Sequence, residues 1–256
     1  MVLSGGGSRG LVHAGILKAL AEAKITPECI SGNSSGALIG ALYAAGYDLE
    51  DTLRFFDDTN PFKFSRFALR KAGFLDSDKI IEDLKRWFPN DSFEALDRRL
   101  FVVATDLTAG QLVIFSSGPL FGALLASSSV PFVFTPTRHD GRLFVDGGVL
   151  NNFPIEPLIG QCDVILGMYA SPLHDLSGVL GTSFAVTQRA FAIGMYHASR
   201  RKFDQAALVL CPPELARYAT FDIKRHREIA EIGYQAAIER MDDIRRLLDP
   251  AAAAAV

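Results

Sequence analysis

Residues 28–37, Glu28-Cys29-Ile30-Ser31-Gly32-Asn33-Ser34-Ser35-Gly36-Ala37, run from a short buried strand at Cys29 and Ile30 into a turn flanked by glycines. An Ala-rich helix follows from Ala37 to about Ala45, with Gly46 placed to cap it. Upstream, Met1 to Leu3 read as the end of a strand. Gly5-Gly6-Gly7-Ser8-Arg9-Gly10 makes a second glycine turn, and residues 10–23 carry Leu11, Ile16, Leu17 and Leu20 on one helical face. Strand, turn, helix, strand, turn, helix is a βαβα unit, because parallel strands need a helical crossover. The expected fold is therefore α/β, a three-layer α/β/α arrangement around a mostly parallel central sheet.

Working outward, residues 48–98 change in texture. Charge and Phe rise, with helical periods at 50–57 and 77–88, and the segment reads as a helical insertion or lid. Phe55, Phe56, Phe62, Phe64, Phe67 and Phe74 alternate with Lys63, Arg66, Arg70 and Lys71. That mixture suits a lipid-interface contact as well as a packed helical subdomain. Strands are expected at 100–104, 112–115, 143–145, 164–168 and 207–210, and helices at 182–203 and 225–248. No repeat or linker divides the chain, so residues 1–250 read as a single domain. Residues 251–256, the alanine run 251–255 and Val256, are set aside as a tail.

Composition narrows the function classes. At 49% hydrophobic and 21% charged, the chain has material for a large core and enough charge to stay in solution. The net charge of -3 gives no basic face for nucleic acid. Cys29, Cys162 and Cys211 show neither a CxxC pair nor zinc spacing, and read as buried free thiols in a reducing compartment. No apolar run has the ~18 residues of a spanning helix. The apolar stretch after Arg9 is interrupted by His13 and Lys18, so it reads as an amphipathic helix rather than a signal peptide. The expected location is cytoplasmic, with peripheral membrane contact.

Gly5, Gly7 and Gly10 satisfy GxGxxG between a strand and a helix, the pattern of a dinucleotide loop. The physics is general: glycines let N–H groups turn toward an anion at a helix start. A dinucleotide fold places an acid at the end of the second strand to hold the ribose. Glu28 precedes that strand, and its end carries Gly32-Asn33-Ser34-Ser35-Gly36. The anion expected at this loop is therefore an oxyanion, and no cofactor or metal is called for.

Gly32-x-Ser34-x-Gly36 matches the nucleophile elbow, in which a sharp strand-to-helix turn exposes a serine between glycines that leave room for close backbone. Ser31 and Ser35 lack the glycine on both sides and read as local hydrogen-bonding residues. A serine hydroxyl needs a base. His13, His139, His174, His197 and His226 lie in helices or in loops without supporting turn chemistry. Asp146 is the better candidate: it ends the strand Leu143-Phe144-Val145, and Gly147 and Gly148 leave space beside it. The competing reading is an ordinary Asp-Gly hairpin turn. Against it stands Gly148-Val149-Leu150-Asn151-Asn152-Phe153-Pro154, which does not read as a returning strand.

Together these residues resemble the patatin-like phospholipase family. The GGGxRG loop (Gly5–Gly10), the GxSxG elbow (Gly32–Gly36) and the DGG turn (Asp146–Gly148) stand in the family's order. Ala126-Ser127-Ser128-Ser129-Val130-Pro131-Phe132 and Asn151-Asn152-x-Pro154 are similar to its connecting phrases. The likeness is clear over about residues 1–170. It implies a patatin-like fold and hydrolysis of lipid acyl esters by a Ser–Asp dyad without histidine. Carried onto this chain, Ser34 is the nucleophile and Asp146 the base. Gly5, Gly6 and Gly7 form the oxyanion hole, chiefly through the amides of Gly6 and Gly7, and Arg9 and Gly10 order the loop. The implied partner is a phospholipid or other lipid ester. Three alternatives stay open: an acyltransferase on the same acyl-serine, a non-enzymatic lipid-binding protein, and a histidine-triad hydrolase.

Overall fold

The computed structural model describes residues 1–59, 78–131, 133–175, 178, 180–220, 222 and 224–249. Phe62, Phe64, Phe67 and Phe74, the cations between them and the alanine tail lie outside these residues.

The strands are β1 (Val2–Leu3), β2 (Cys29–Asn33), β3 (Arg99–Asp106), β4 (Gln111–Phe115), β5 (Thr137–His139), β6 (Arg142–Asp146), β7 (Leu166–Met168) and β8 (Leu208–Leu210). The helices are α1 (Val12–Glu22), α2 (Ser35–Ala44), α3 (Leu49–Thr59), α4 (Asp78–Trp87), α5 (Leu120–Ser128), α6 (Ser183–Arg200), α7 (His226–Glu239) and α8 (Met241–Leu248). One sheet runs β5-β6-β3-β2-β1-β7-β8, with β4 also paired to β3. From β3 through β2, β1 and β7 to β8 every pairing is parallel; β4, β5 and β6 join antiparallel.

The side-chain alternation of the strands shows the three layers directly. Leu3, Leu100 and Val102 point into one core with Leu11, Ile16, Leu20 and Leu42 of the helical layer. Their neighbours Val2 and Phe101 point into a second core with Phe153, Ile165 and Tyr169. Both faces of the sheet are thus buried, as a parallel sheet requires.

β3 is the strand on which the site is assembled. β4 pairs with it from Val102 to Asp106. β2 overlaps that span at Val102 and Val103, and β6 overlaps it from Ala104 to Asp106, so both lie along the opposite edge of β3. β2 runs parallel to β3 and β6 antiparallel. Their C-terminal ends therefore converge, with Asn33 beside Val103 and Asp146 beside Ala104. Two segments more than a hundred residues apart in sequence are delivered tip to tip.

Some elements differ from expectation. The glycine turn first forms a 3-10 turn, Gly7–Leu11, before α1 begins. α5 and β5 were not anticipated. The closing helix breaks at Arg240, whose φ of -108° and ψ of 10° leave the helical region, giving α7 and α8. The three free cysteines are half-buried rather than fully buried. Among the described residues no helix is long and apolar enough to cross a membrane.

Candidate active site

Ser34 sits between β2 and α2 with φ 54° and ψ -125°, a backbone conformation that costs a non-glycine residue about 1–3 kcal/mol. The surroundings over-determine it. Its N–H donates to Ser127 Oγ at 2.9 Å, and its carbonyl accepts from Ala37 and Leu38 in the first turn of α2. The flanking glycines are demanded by contact. A Cβ on Gly32 would lie 2.7 Å from the Gly36 carbonyl oxygen, and one on Gly36 only 2.3 Å from that of Leu3.

Asp146 ends β6 and caps a 3-10 turn, Gly147–Val149, accepting the Gly148 N–H on Oδ1 at 2.7 Å. The chain goes on into that turn and not into a hairpin. Asn33 Nδ2 donates to the same carboxylate at 3.0 Å, and the Ser34 side chain lies near it. Burial pushes the Asp146 carboxyl up from its ordinary value; the neighbouring donor groups of Ser34, Gly148 and Asn33 pull the other way and only partly offset it.

The glycine loop closes over the same place. Gly5 N–H donates to Asn152 Oδ1 at 3.0 Å and Gly6 N–H to Ser35 Oγ at 3.1 Å. Gly7, at φ 60°, opens the 3-10 turn, where an N–H has no partner within the turn, and among the described residues it has none elsewhere. Arg9 reaches from the loop to Ser171 Oγ at 3.4 Å and Thr220 Oγ1 at 3.3 Å. Gly10 packs on the Ser35 hydroxyl, where a Cβ would meet Oγ at 2.2 Å.

Asn33 and Asn152, to which no role was assigned from sequence, link these parts. Asn152 Oδ1 accepts from both Gly5 N–H and Asn33 Nδ2, while Asn33 Oδ1 accepts from Ser127 Oγ. One chain of amides thus ties the glycine loop, the elbow and the Asp146 strand. Nothing in the local sequence singles these residues out, because their partners lie 94 to 147 positions away.

Two cavities meet at Ser34. One, of about 750 Å³, is apolar and runs under Leu38, Phe55, Ile80, Leu84 and Leu124. The other is an open, more polar cleft of about 1230 Å³ lined by Gly5–Gly7, Arg9, Asp146, Asn152 and one side of α6. Of the histidines, His13 is fully buried in α1 with Nε2 bonded to the Ser4 carbonyl at 2.8 Å, and burial lowers it to about 4. It is therefore neutral, with Nε2 carrying the proton. His139 packs on Phe115 and Phe144; His174 and His197 are exposed. His226 opens α7, lines the apolar cavity, and holds Asp57 through Nδ1 at 2.9 Å. Sequence reasoning missed that partner.

The mostly parallel sheet with helices on both faces is an α/β fold, and it brings a strained serine and a buried carboxylate together at the ends of β2 and β6. The family model described as "Patatin-like phospholipase" matches residues 1–159, and the chain belongs to that family. It is 35% identical to an uncharacterized NTE family protein of Mycobacterium tuberculosis strain H37Rv, over 68% of this chain and 51% of that protein. It is 29% identical to patatin-like phospholipase domain-containing protein 7 of Rattus norvegicus, over 92% of this chain and 20% of the relative. Lysophospholipase NTE1 of Coccidioides immitis is 26% identical, over 96% and 18%. The chain thus spans about half the length of the first of these relatives and a fifth or less of the other two. Among solved structures, VipD from Legionella pneumophila shares the fold, with a TM-score of 0.53 over 94% of this chain and 66% of that one, at 16% identity.

Proposed function

We propose that the protein hydrolyses acyl esters of lipids by a Ser34–Asp146 dyad. The observation that carries this reading is the strained Ser34 beside the buried Asp146 carboxylate, at the junction of an apolar cavity and an open polar cleft. Ser34 Oγ attacks the ester carbonyl carbon as Asp146 takes its proton. Charge develops on the carbonyl oxygen, and the amides of Gly6 and Gly7 receive it. The Gly5 amide is held by Asn152, and Gly6 exchanges its Ser35 partner for the oxyanion. Removing such a donor costs about 3–4 kcal/mol of transition-state stabilisation. The alcohol leaves with the proton from Asp146. Water then attacks the acyl-serine, again losing its proton to Asp146, and the fatty acid departs. The apolar cavity suits the acyl chain, and the cleft suits the leaving lysolipid or alcohol.

The elevated Asp146 serves this role, since a base is most effective when its pKa approaches the working pH. Labelling with a fluorophosphonate tests the nucleophile. The adduct should map to Ser34 and vanish in Ser34→Ala; an adduct on another serine would overturn the assignment. A second reading rests on the His226–Asp57 pair, which borders the same apolar cavity as Ser34. It would make His226 the base, whereas it is the Asp146 carboxyl that lies beside the Ser34 side chain.

A further inference from the structure

α6 is a helix whose surroundings do not match its composition. Ser199 is its only fully buried residue, close to its C-terminal end. Yet Leu180, just before it, and Phe184, Val186, Phe191 and Ile193 within it are between 37% and 49% exposed. These five cluster within 14 positions, on both sides of the helix: Phe184 and Phe191 share one face, Val186 and Ile193 the opposite one. A helix that bares large apolar side chains on two opposite faces is one whose apolar surface belongs against a core or a lipid phase. Its C-terminal third is held where Tyr196 packs on Tyr169, and farther up Arg189 donates to the His174 carbonyl.

Two further observations identify what the exposed part meets. First, α6 walls the catalytic cleft through Thr187, Gln188, Phe191, Ala192 and Met195, so whatever it touches stands at the substrate entrance. Second, its charge is of one sign. No Asp or Glu occurs between Asp175 and Asp204, a span holding Arg189, Arg200, Arg201 and Lys202. Arg200 and Lys202 are balanced by Asp204 and Glu156; among the described residues Arg189 and Arg201 have no carboxylate partner.

We propose that the N-terminal two-thirds of α6, with Leu180, is the surface that docks the protein on an anionic lipid bilayer and sets the cleft mouth against it. The apolar side chains enter the acyl boundary while Arg189 and Arg201 meet lipid headgroups. The inference rests on the lipid-ester reading of Ser34 for its purpose, but its test does not depend on catalysis. Vesicles of ether-linked phosphatidylcholine with or without phosphatidylglycerol cannot be hydrolysed at an ester, so sedimentation with them reads docking alone.

The wild-type protein should sediment with the anionic vesicles. A variant carrying Leu180→Ser, Val186→Ser and Ile193→Ser should bind at least about tenfold more weakly. These residues lie outside the cleft lining, so the variant should keep its turnover of a short soluble ester. Arg189→Gln with Arg201→Gln should lose about fivefold in binding per cation on anionic vesicles and little on neutral ones. Wild-type protein that stays in the supernatant would overturn the proposal, as would equal sedimentation of the triple variant. A dimer that the triple substitution converts to a monomer, without vesicle binding, would assign the face to a second copy instead. Docking that persists in a protein inactive on every ester would uphold this surface and defeat the hydrolase reading, so the two failures are distinct.

Discussion

Ser34 and Asp146 were legible as residues because glycines flank Ser34 on both sides and follow Asp146, and glycine is what a chain uses where backbone must pass close. What holds them was not legible. Ser127 accepts the Ser34 N–H from 93 positions away, and Asn33 and Asn152 join the two motifs through side-chain amides that look like ordinary loop polarity in the sequence. Ser127→Ala would leave a buried N–H unpaired at the strained residue, costing about 1–3 kcal/mol. The expected result is a melting temperature lower by roughly 2–4 °C per kcal/mol, with a fall in kcat. Asp146 makes a prediction of the opposite sign. Its folded pKa is raised by burial, so the native state keeps a proton that the unfolded chain has released above ~3.9. Stability is therefore lost as pH rises through the interval up to the folded pKa. Asp146→Asn removes that penalty. It should melt above wild type at pH 8, with the gain shrinking toward pH 4; a variant less stable than wild type at pH 8 would show that the carboxylate is held favourably.

At the level of elements, the βαβα start and the strands around the motifs could be read because their apolar periods are clean. α5 could not. Leu120-Phe121-Gly122-Ala123-Leu124-Leu125-Ala126 is buried on nearly every side and has no polar face to set a period. The break between α7 and α8 was hidden because the amphipathic pattern continues across Arg240. α7 packs so closely on α1 that a Cβ on Gly233 would lie 2.0 Å from the Val12 carbonyl oxygen, and one on Gly15 1.8 Å from that of Ala230. Gly233→Ala should destabilise by about 1–3 kcal/mol despite alanine's better helix propensity, visible as an earlier thermal transition. α3, α4 and α5 wall the apolar cavity, and Phe55 and Phe56 are buried in it rather than offered to solvent. Ile80→Trp should fill part of that space. Hydrolysis of long-chain esters is then expected to fall sharply while that of butyrate esters is kept; equal losses on both would mean the acyl chain lies elsewhere.

On the scale of the whole molecule, the sheet does the positioning. β2 and β6 converge along one edge of β3, so the serine at position 34 and the carboxylate at 146 meet without any loop reaching for the other. The order of motifs in the sequence pointed to the family, whereas this antiparallel return of β6 is a pairing no local pattern specifies. The same molecule also offers a His226–Asp57 pair, with His226 lining the apolar cavity, and in the proposed mechanism catalysis uses the Asp146 carboxylate instead. The most direct measurement is kcat/KM on one soluble ester for wild type, Asp146→Asn and His226→Ala, each shown folded by its melting curve. Asp146→Asn should lose a factor on the order of 10³ or more, as expected when base and nucleophile act as a unit. His226→Ala should retain most of the activity. A folded His226→Ala as inactive as Asp146→Asn, or an Asp146→Asn that turns over near the wild-type rate, would contradict the dyad.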